Sequence, residues 1–221
     1  AFTMAPAVGD LVFAIPQEAL MTDCLCGSAY VTNTDEITVT FHAKEGGGVA
    51  ALMHSLAFAS LGPIVGNGAL TRDRMEMTLD VMANSLVYWV QDLLARKLLG
   101  QGSRIYAMTS SGGSRVWPTY GAVSAAKAAL ESHVRQLAME LAPYGMTANC
   151  IRAGVTDTPA LRKIPGNEQM MELSKVRNPS HRLTTPDDVA RAIATLANSG
   201  TAWMTGNFPS NRSSKYAGRA F

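Results

Sequence analysis

"SRIYAMTSSGGSRVWPTYGAVSAAK", residues 103–127, decides the fold. Its first eight residues, 103–110, form a short run with an apolar centre, the pattern of a strand buried in a sheet. The cluster "SSGGS" breaks that run. Pro118 then opens a long helical pattern, residues 118–142, at the position where a helix tolerates proline. Outward on either side the alternation continues. "VAALMHSLAF" (49–58) reads as an earlier strand and "MTANCIRAG" (146–154) as a later one. Between the first two strands, residues 71–100 read as a long helix: Thr71 caps it, acids come early, Arg96 and Lys97 come late, and Gly100 stops it. "TPDDVARAIATLAN" (185–198) is a further helix, with Thr185 as cap, Pro186 at its first position, and Asp187 and Asp188 at its positive end. Strand, helix, strand, helix, strand, helix predicts an α/β fold: a parallel sheet covered by helices on both faces. Ligands in such sheets bind at the carboxyl ends of the strands.

Composition bounds the function. The chain has 221 residues, 47% hydrophobic and 16% charged, which suits a single domain spanning 1–221 with a large core. A net charge of +2 gives no strong field for nucleic acid or an anionic membrane. No apolar run reaches the roughly 18 residues needed to cross a bilayer. The N-terminal stretch is apolar but has no basic leader, so it is not read as a secretion signal. Cys24, Cys26 and Cys150 are odd in number and the histidines are scattered, which predicts a reduced, cytoplasmic setting and no metal site. The "CLC" at 24–26 is read as structural. His54, inside an apolar strand, is read as a hydrogen-bonded core histidine, and His133 and His181 as surface residues. Met75, Met77 and Met82 are read as core or subunit contact.

Tyr120 and Lys127 carry the chemistry. Seven residues on a 3.6-residue helix turn through about 700°, so the two side chains share a face about 10 Å apart along the axis. Helical side chains lean toward the N-terminus, which brings Lys127 back toward Tyr120. The small residues Ser124, Ala125, Ala126, Ala128 and Ala129 leave room for a ligand or a neighbouring helix, and they equally favour helix formation. On pattern alone, packing with solvation and a tuned hydroxyl are both open readings.

The segment "TYGAVSAAKAALESHVRQLAMELAPYGMTANCIRAGVTDTPAL" resembles the catalytic helix and following strand of the short-chain dehydrogenase/reductases. The commoner members place the lysine four after the tyrosine, where this chain has Ser124. A lysine seven after the tyrosine resembles the divergent branch, the enoyl-acyl-carrier-protein reductases of fatty-acid synthesis. "ALMHSLAFA" is similar to that branch's fourth strand and "LDVMANSLV" to its next helix, with Met82 where the commoner members carry a catalytic asparagine. "AGVTDTPALRKIPGNEQM" is similar to its loop over the nicotinamide, and "RLTTPDDVARAIATLANSGTAWMTGN" to its penultimate helix and the approach to its last strand. The resemblance covers about residues 49–207.

It implies a Rossmann-like doubly wound fold and the reduction of a 2,3-enoyl thioester by NADPH or NADH. Tyr120 would hydrogen-bond the thioester oxygen, and Lys127 would hold the nicotinamide ribose and make the tyrosine more acidic. Thr158 and the backbone of Ala153, Gly154 and Val155 would hold the nicotinamide and pyrophosphate, and Ser55 and Ala57 would edge the adenosine. The branch often carries a second tyrosine ten residues before the first; Ser110 stands there and gives the substrate pocket a different polar group. The implied partner is an acyl thioester on acyl carrier protein or coenzyme A. The implied assembly is a homodimer or homotetramer through helices 71–100 and 118–142, using Trp89, Val90, Leu93 and Leu94 on the first and Leu130, Val134, Leu137 and Leu141 on the second.

Residues 1–48 and 208–221 do not match the family pattern, so the N-terminal part is read as incomplete or divergent. No glycine-rich turn of the kind that meets a pyrophosphate occurs in 1–48, and "KEGGGVAA" (44–51) leads into a strand rather than out of one. Two alternatives therefore stand beside the enoyl reductase: a ketoreductase of the same family, and a non-redox member that has lost dinucleotide binding.

Overall fold

Three short strands form the parallel centre of the sheet, and each is shorter than the sequence pattern implies. The computed structural model describes residues 48–207 and, before them, the backbone of four short strands, β1 Cys24–Cys26, β2 Val31–Asn33, β3 Glu36–Ile37 and β4 Phe41–Lys44. The absence of a glycine-rich turn, the cysteine pair 24–26 as side chains and the tail 208–221 lie outside the described residues. β5 is Val49–His54, β6 Arg104–Met108 and β7 Thr147–Ile151. β5 pairs with β6, and β6 with β7, in parallel, so all three end at one edge. Before Val49, in the part read as incomplete or divergent, the pairing is antiparallel: β4 joins β5, and β1 joins β4. Only four residues separate Lys44 from Val49, enough for a hairpin but not for the crossover a parallel pair needs.

Helices cover both faces. On one side α2 (Ser85–Ala95) and α3 (Gly121–Leu141) bury Leu52, Ile105, Ala107, Ala148 and Cys150. On the other, Val189 and Ile193 of α6 (Pro186–Leu196) pack on Ala51, Tyr106 and Ile151. The period-2 alternation of the strands divides these sets. α6 is capped as its sequence dictates: the Thr185 hydroxyl accepts from Asp188 N at 3.2 Å, and the Asp188 carboxylate accepts from Thr185 N at 2.9 Å.

The long helix predicted over 71–100 is divided. α1 (Arg72–Leu79) widens into a π turn over Asp80–Asn84 and continues as α2, which stops at Ala95. Lys97 adopts φ 58°, and Leu98 N turns back to Leu93 O. The chain must turn there because Leu99 is buried in the core and Leu98 O receives the first N–H of β5, from Val49. The helix expected from Pro118 begins at Gly121, since Thr119 at φ 63° cannot be helical.

Two further expectations are corrected. Trp89, Val90, Leu93, Leu130, Val134, Leu137 and Leu141 were read as apolar surface left over for a second subunit; all are buried in this chain's own core, and Leu94 packs partly buried against it. Both helices face the sheet and each other, which absorbs a wider stripe than one sheet face alone. His133, read as surface, is half-buried, and its Nε2 lies 3.1 Å from Asn84 Oδ1 in the π turn. His181 is exposed as expected. After α6 the approach to a last strand runs along the outer edge of β7: Gly206 N donates to Ala148 O, Cys150 N to Asn207 O, and Ala148 N to the Thr205 hydroxyl. Among the described residues no helix is long and apolar enough to cross a membrane.

Candidate active site

A cavity of about 1170 Å³ opens at the carboxyl ends of β5, β6 and β7. All nine residues singled out in the sequence line it: Ser55, Ala57, Ser110, Tyr120, Lys127, Ala153, Gly154, Val155 and Thr158. They come from the three loops that follow β5, β6 and β7 and from one helix, α3, so the three parallel strands deliver them to the same edge.

Lys127 is 5% exposed, and its ammonium donates to Leu56 O at 3.0 Å and Met108 O at 2.8 Å. It thereby ties together the chain just beyond β5 and the end of β6. Two carbonyl dipoles compensate a charge that burial alone would make costly. His54, at the end of β5, is held neutral. Burial, helped by the Lys127 charge, lowers its pKa from 6.5 to about 3, and its Nε2 lies 2.8 Å from the Ser85 hydroxyl. It is the hydrogen-bonded core histidine expected.

Tyr120 sits at the residue preceding α3, with φ −96° and ψ 7°, rather than inside the helix's first turn. Burial pushes its phenol above the ordinary value of 10, and the Ser110 hydroxyl pulls the other way. The expectation that Lys127 would make this tyrosine more acidic is not met: the lysine is taken up at the strand ends, and Ser110 is the polar partner. A phenol raised by burial stays protonated at neutral pH and is fitted to donate a hydrogen bond. The ring packs closely against Gly112, where a Cβ would overlap Tyr120 Cε1 and Cδ1. Gly112 N in turn donates to Ser110 Oγ at 3.1 Å, and the Ser124 hydroxyl to Gly112 O. Ser124, where the commoner family pattern has lysine, therefore braces the loop under the tyrosine.

Met82 was read as core or subunit contact. It is 2% exposed, and the π turn also makes it part of the cavity wall. Thr158 caps the short helix α4 (Pro159–Arg162), accepting from Leu161 N at 3.1 Å. α5 (Asn167–Arg177) follows, contains no buried residue and contributes Met170, Leu173, Ser174 and Arg177 to the lining. The Trp117 indole N–H reaches Pro165 O at 3.2 Å and fastens this cover to the loop before Tyr120.

The sequence reading missed one buried cluster. Glu131, one turn beyond Lys127 on α3, accepts from Arg152 Nη2 at 2.6 Å and from the Thr109 hydroxyl at 2.7 Å. It ties the ends of β6 and β7 as Lys127 ties those of β5 and β6. Its spacing of four from Lys127 was the available signal. Six cations line the cavity, Arg115, Lys127, Arg152, Lys163, Arg177 and Arg182; Arg152 is paired with Glu131 and Arg182 with Asp188, and among the described residues no Asp or Glu is part of the lining. That charge suits an anionic ligand such as a dinucleotide or a phosphate-bearing thioester.

Comparison with known proteins agrees with this arrangement. The enoyl-(acyl carrier protein) reductase family profile matches residues 18–208, reaching back into the segment where no glycine-rich turn is legible. The chain is 39% identical over 114 residues to the 1-cyclohexenylcarbonyl-CoA reductase of Streptomyces collinus; the match covers 51% of this chain and 41% of that protein. It is 30% identical over 193 residues to the NADH-dependent enoyl-acyl-carrier-protein reductase FabI of Bacillus cereus, covering 86% of this chain and 73% of the relative. The crystal structure of the NADH-dependent enoyl-acyl-carrier-protein reductase of Aquifex aeolicus superposes with a TM-score of 0.71 at 27% identity, over 80% of this chain and 69% of that one. Tyr120, Lys127 and the strand ends that carry them thus lie within the matched span, and the chain belongs to the short-chain dehydrogenase/reductases, in their enoyl-acyl-carrier-protein reductase branch.

Proposed function

We propose that this chain reduces the 2,3 double bond of an enoyl thioester in the cytoplasm, with NADH or NADPH as reductant. The observation that carries the reading is the convergence of all nine chosen residues on one cavity whose lining, among the described residues, carries cations and no carboxylate. A bound nicotinamide would supply the hydride for the β-carbon. A proton from water at the α-carbon would complete the reduction, and the residues of the chain bind and orient the reactants. As negative charge builds on the thioester oxygen, the protonated Tyr120 hydroxyl donates a hydrogen bond that is stronger in the transition state than in the ground state. Ser110 holds the phenol from the other side. Lys127 and Thr158, with the backbone of Ala153, Gly154 and Val155, would hold the nicotinamide end of the cofactor, and Ser55 and Ala57 its adenosine end. Met82, Leu61 and Val123 give the same cavity an apolar wall for the acyl chain.

The carrier is acyl carrier protein or coenzyme A; relatives named for each are similar to this chain. In this reading the chain works as a homodimer or homotetramer through helices 71–100 and 118–142. The large apolar side chains that these helices leave exposed are Leu79, Tyr88 and Met139.

Turnover of crotonyl thioesters on both carriers, followed by loss of reduced nicotinamide absorbance, tests the reading. Tyr120→Phe should lower turnover by more than about tenfold, the worth of one such hydrogen bond. Lys127→Ala should mainly weaken NADH and NADPH binding in a fluorescence titration. Equal turnover by the wild type and Tyr120→Phe would remove Tyr120 from the reaction. Reduction of a β-keto thioester in place of the enoyl substrate would make the chain a ketoreductase.

A further inference from the structure

We propose that Thr119, held left-handed by the loop after β5, is a positioning residue that sets where the Tyr120 hydroxyl stands. The inference rests on the reading of Tyr120 as the group that meets the thioester oxygen. Thr119 has φ 63°. A β-branched side chain resists that conformation, and glycine or asparagine is the usual occupant. The turn that carries it is closed locally by Tyr120 N, which donates to Trp117 O at 3.1 Å, while the Thr119 hydroxyl is buried and has no hydrogen-bond partner among the described residues.

A second loop adds to what holds the residue there. Gly62 N donates to Thr119 O at 3.0 Å. Gly62 belongs to a tight turn closed by Leu70 N to Pro63 O at 2.9 Å and Ala69 N to Gly66 O at 3.2 Å, with Gly66 and Gly68 at φ 88° and 74°. The Leu70 side chain fills the place of a Cβ on Gly62, 2.9 Å away. The same turn grips the residue after the tyrosine: Ile64 Cδ1 lies 2.4 Å from where a Cβ of Gly121 would be. With Gly112 under the ring, Tyr120 is fixed before, after and beneath. An ordinary φ at 119 would rotate the peptide that carries Tyr120 and pull Thr119 O off Gly62. Backbone strain persists where the surroundings over-determine it, and here those surroundings converge on one side chain. A shift of the hydroxyl by a fraction of an ångström is enough to slow a reaction that depends on its direction.

Two substitutions separate keeping the conformation from losing it. Asparagine accepts the left-handed region; proline fixes φ at about −65° and excludes it. Thr119→Asn is expected to keep kcat within about twofold and to raise Tm by about 2–4 °C as strain is relieved. Thr119→Pro is expected to lower kcat by about tenfold or more at nearly unchanged KM, with its helical circular dichroism retained. A readout independent of turnover is the ultraviolet difference titration of the Tyr120 phenol, taken as each protein minus its Tyr120→Phe counterpart. In Thr119→Pro the phenol should titrate closer to 10 than in wild type, and in Thr119→Asn it should not move. Full kcat and an unchanged titration in Thr119→Pro overturn the proposal, as does a Thr119→Asn variant as slow as Thr119→Pro. If the wild type reduces no thioester, the titration alone decides: a shift confined to Thr119→Pro upholds the positioning role while the reductase reading fails, and no shift overturns it.

Discussion

Single residues here are pulled away from their solution behaviour by burial, and His54 most of all. Its pKa falls from 6.5 to about 3, first through desolvation and then through the Lys127 charge. The unfolded chain binds a proton at this residue below about pH 6.5 and the folded chain does not until about pH 3. The histidine therefore costs no stability above pH 6.5, and stability is lost as pH falls from there toward 3, at up to about 1.4 kcal/mol per pH unit. Carboxylates lose stability in the lower part of the same window, so a control is needed. His54→Gln can still meet the Ser85 hydroxyl but cannot titrate. Urea unfolding of both proteins between pH 7 and 4 should show the wild type falling more steeply, by close to one proton's worth. Parallel curves would show that His54 is not held neutral. At this scale the sequence was informative wherever chemistry and spacing coincide, as in Tyr120 and Lys127. It was uninformative about Thr119, because an unusual backbone angle at a threonine leaves no mark in composition or period. Nor could it show that Ser110 would partner Tyr120 while Lys127 turned to two carbonyls, since that depends on where three strand ends lie.

Among the elements, α3 does most to assemble the site. Lys127 and Glu131 stand one turn apart on it and between them fasten the ends of β5, β6 and β7. The capped helices and apolar runs made α3, α6 and the three parallel strands legible in the sequence. The π turn in the helix from Arg72 to Ala95 was not legible; just past it the Ser85 hydroxyl donates to Val81 O at 2.6 Å and lies 2.8 Å from His54 Nε2 at the end of β5, a contact that sequence spacing does not show. The helix ends were also missed, each by a few residues, where a left-handed residue, Lys97 or Thr119, sets the boundary. The Glu131–Arg152 pair gives the element-scale test. Its side chains are only 12% and 14% exposed, and Arg152 Nε already lacks a partner. Removing one partner of a buried pair leaves the other charge uncompensated, at about 3–5 kcal/mol. Glu131→Gln should cost about 3 kcal/mol in denaturant unfolding. Glu131→Gln with Arg152→Gln should recover part of that loss, since no bare charge then remains. A single variant that costs under about 1 kcal/mol would mean water reaches the pair and screens it.

For the whole molecule, the question is what covers the outer face of the helices that build the site. The apolar residues first expected to meet a second subunit are spent on the chain's own core, so a Val134→Asp substitution would unfold the protein instead of dissociating it. Leu79, Tyr88 and Met139 are different: they are 36%, 45% and 64% exposed on α1, α2 and α3. A symmetric contact would bury each of them twice, once from either subunit. The Tyr88 hydroxyl, at 3.0 Å from Asp80 Oδ1, brings its hydrogen bond with it and need not be left unsatisfied in the contact. Such a contact would also brace the helix whose inner face carries Lys127 and Glu131. Dissociation should therefore loosen the strand ends as well as halve the mass. Light scattering at micromolar concentration should report a mass at least twice 23.5 kDa for the wild type. The double variant Tyr88→Glu/Met139→Glu should report the monomer with its helical circular dichroism retained, because neither side chain belongs to the core. A wild type already monomeric under these conditions, or a double variant of unchanged mass, would place the subunit contact elsewhere or nowhere, and the exposed side chains would then be ordinary surface residues of the kind every folded chain carries.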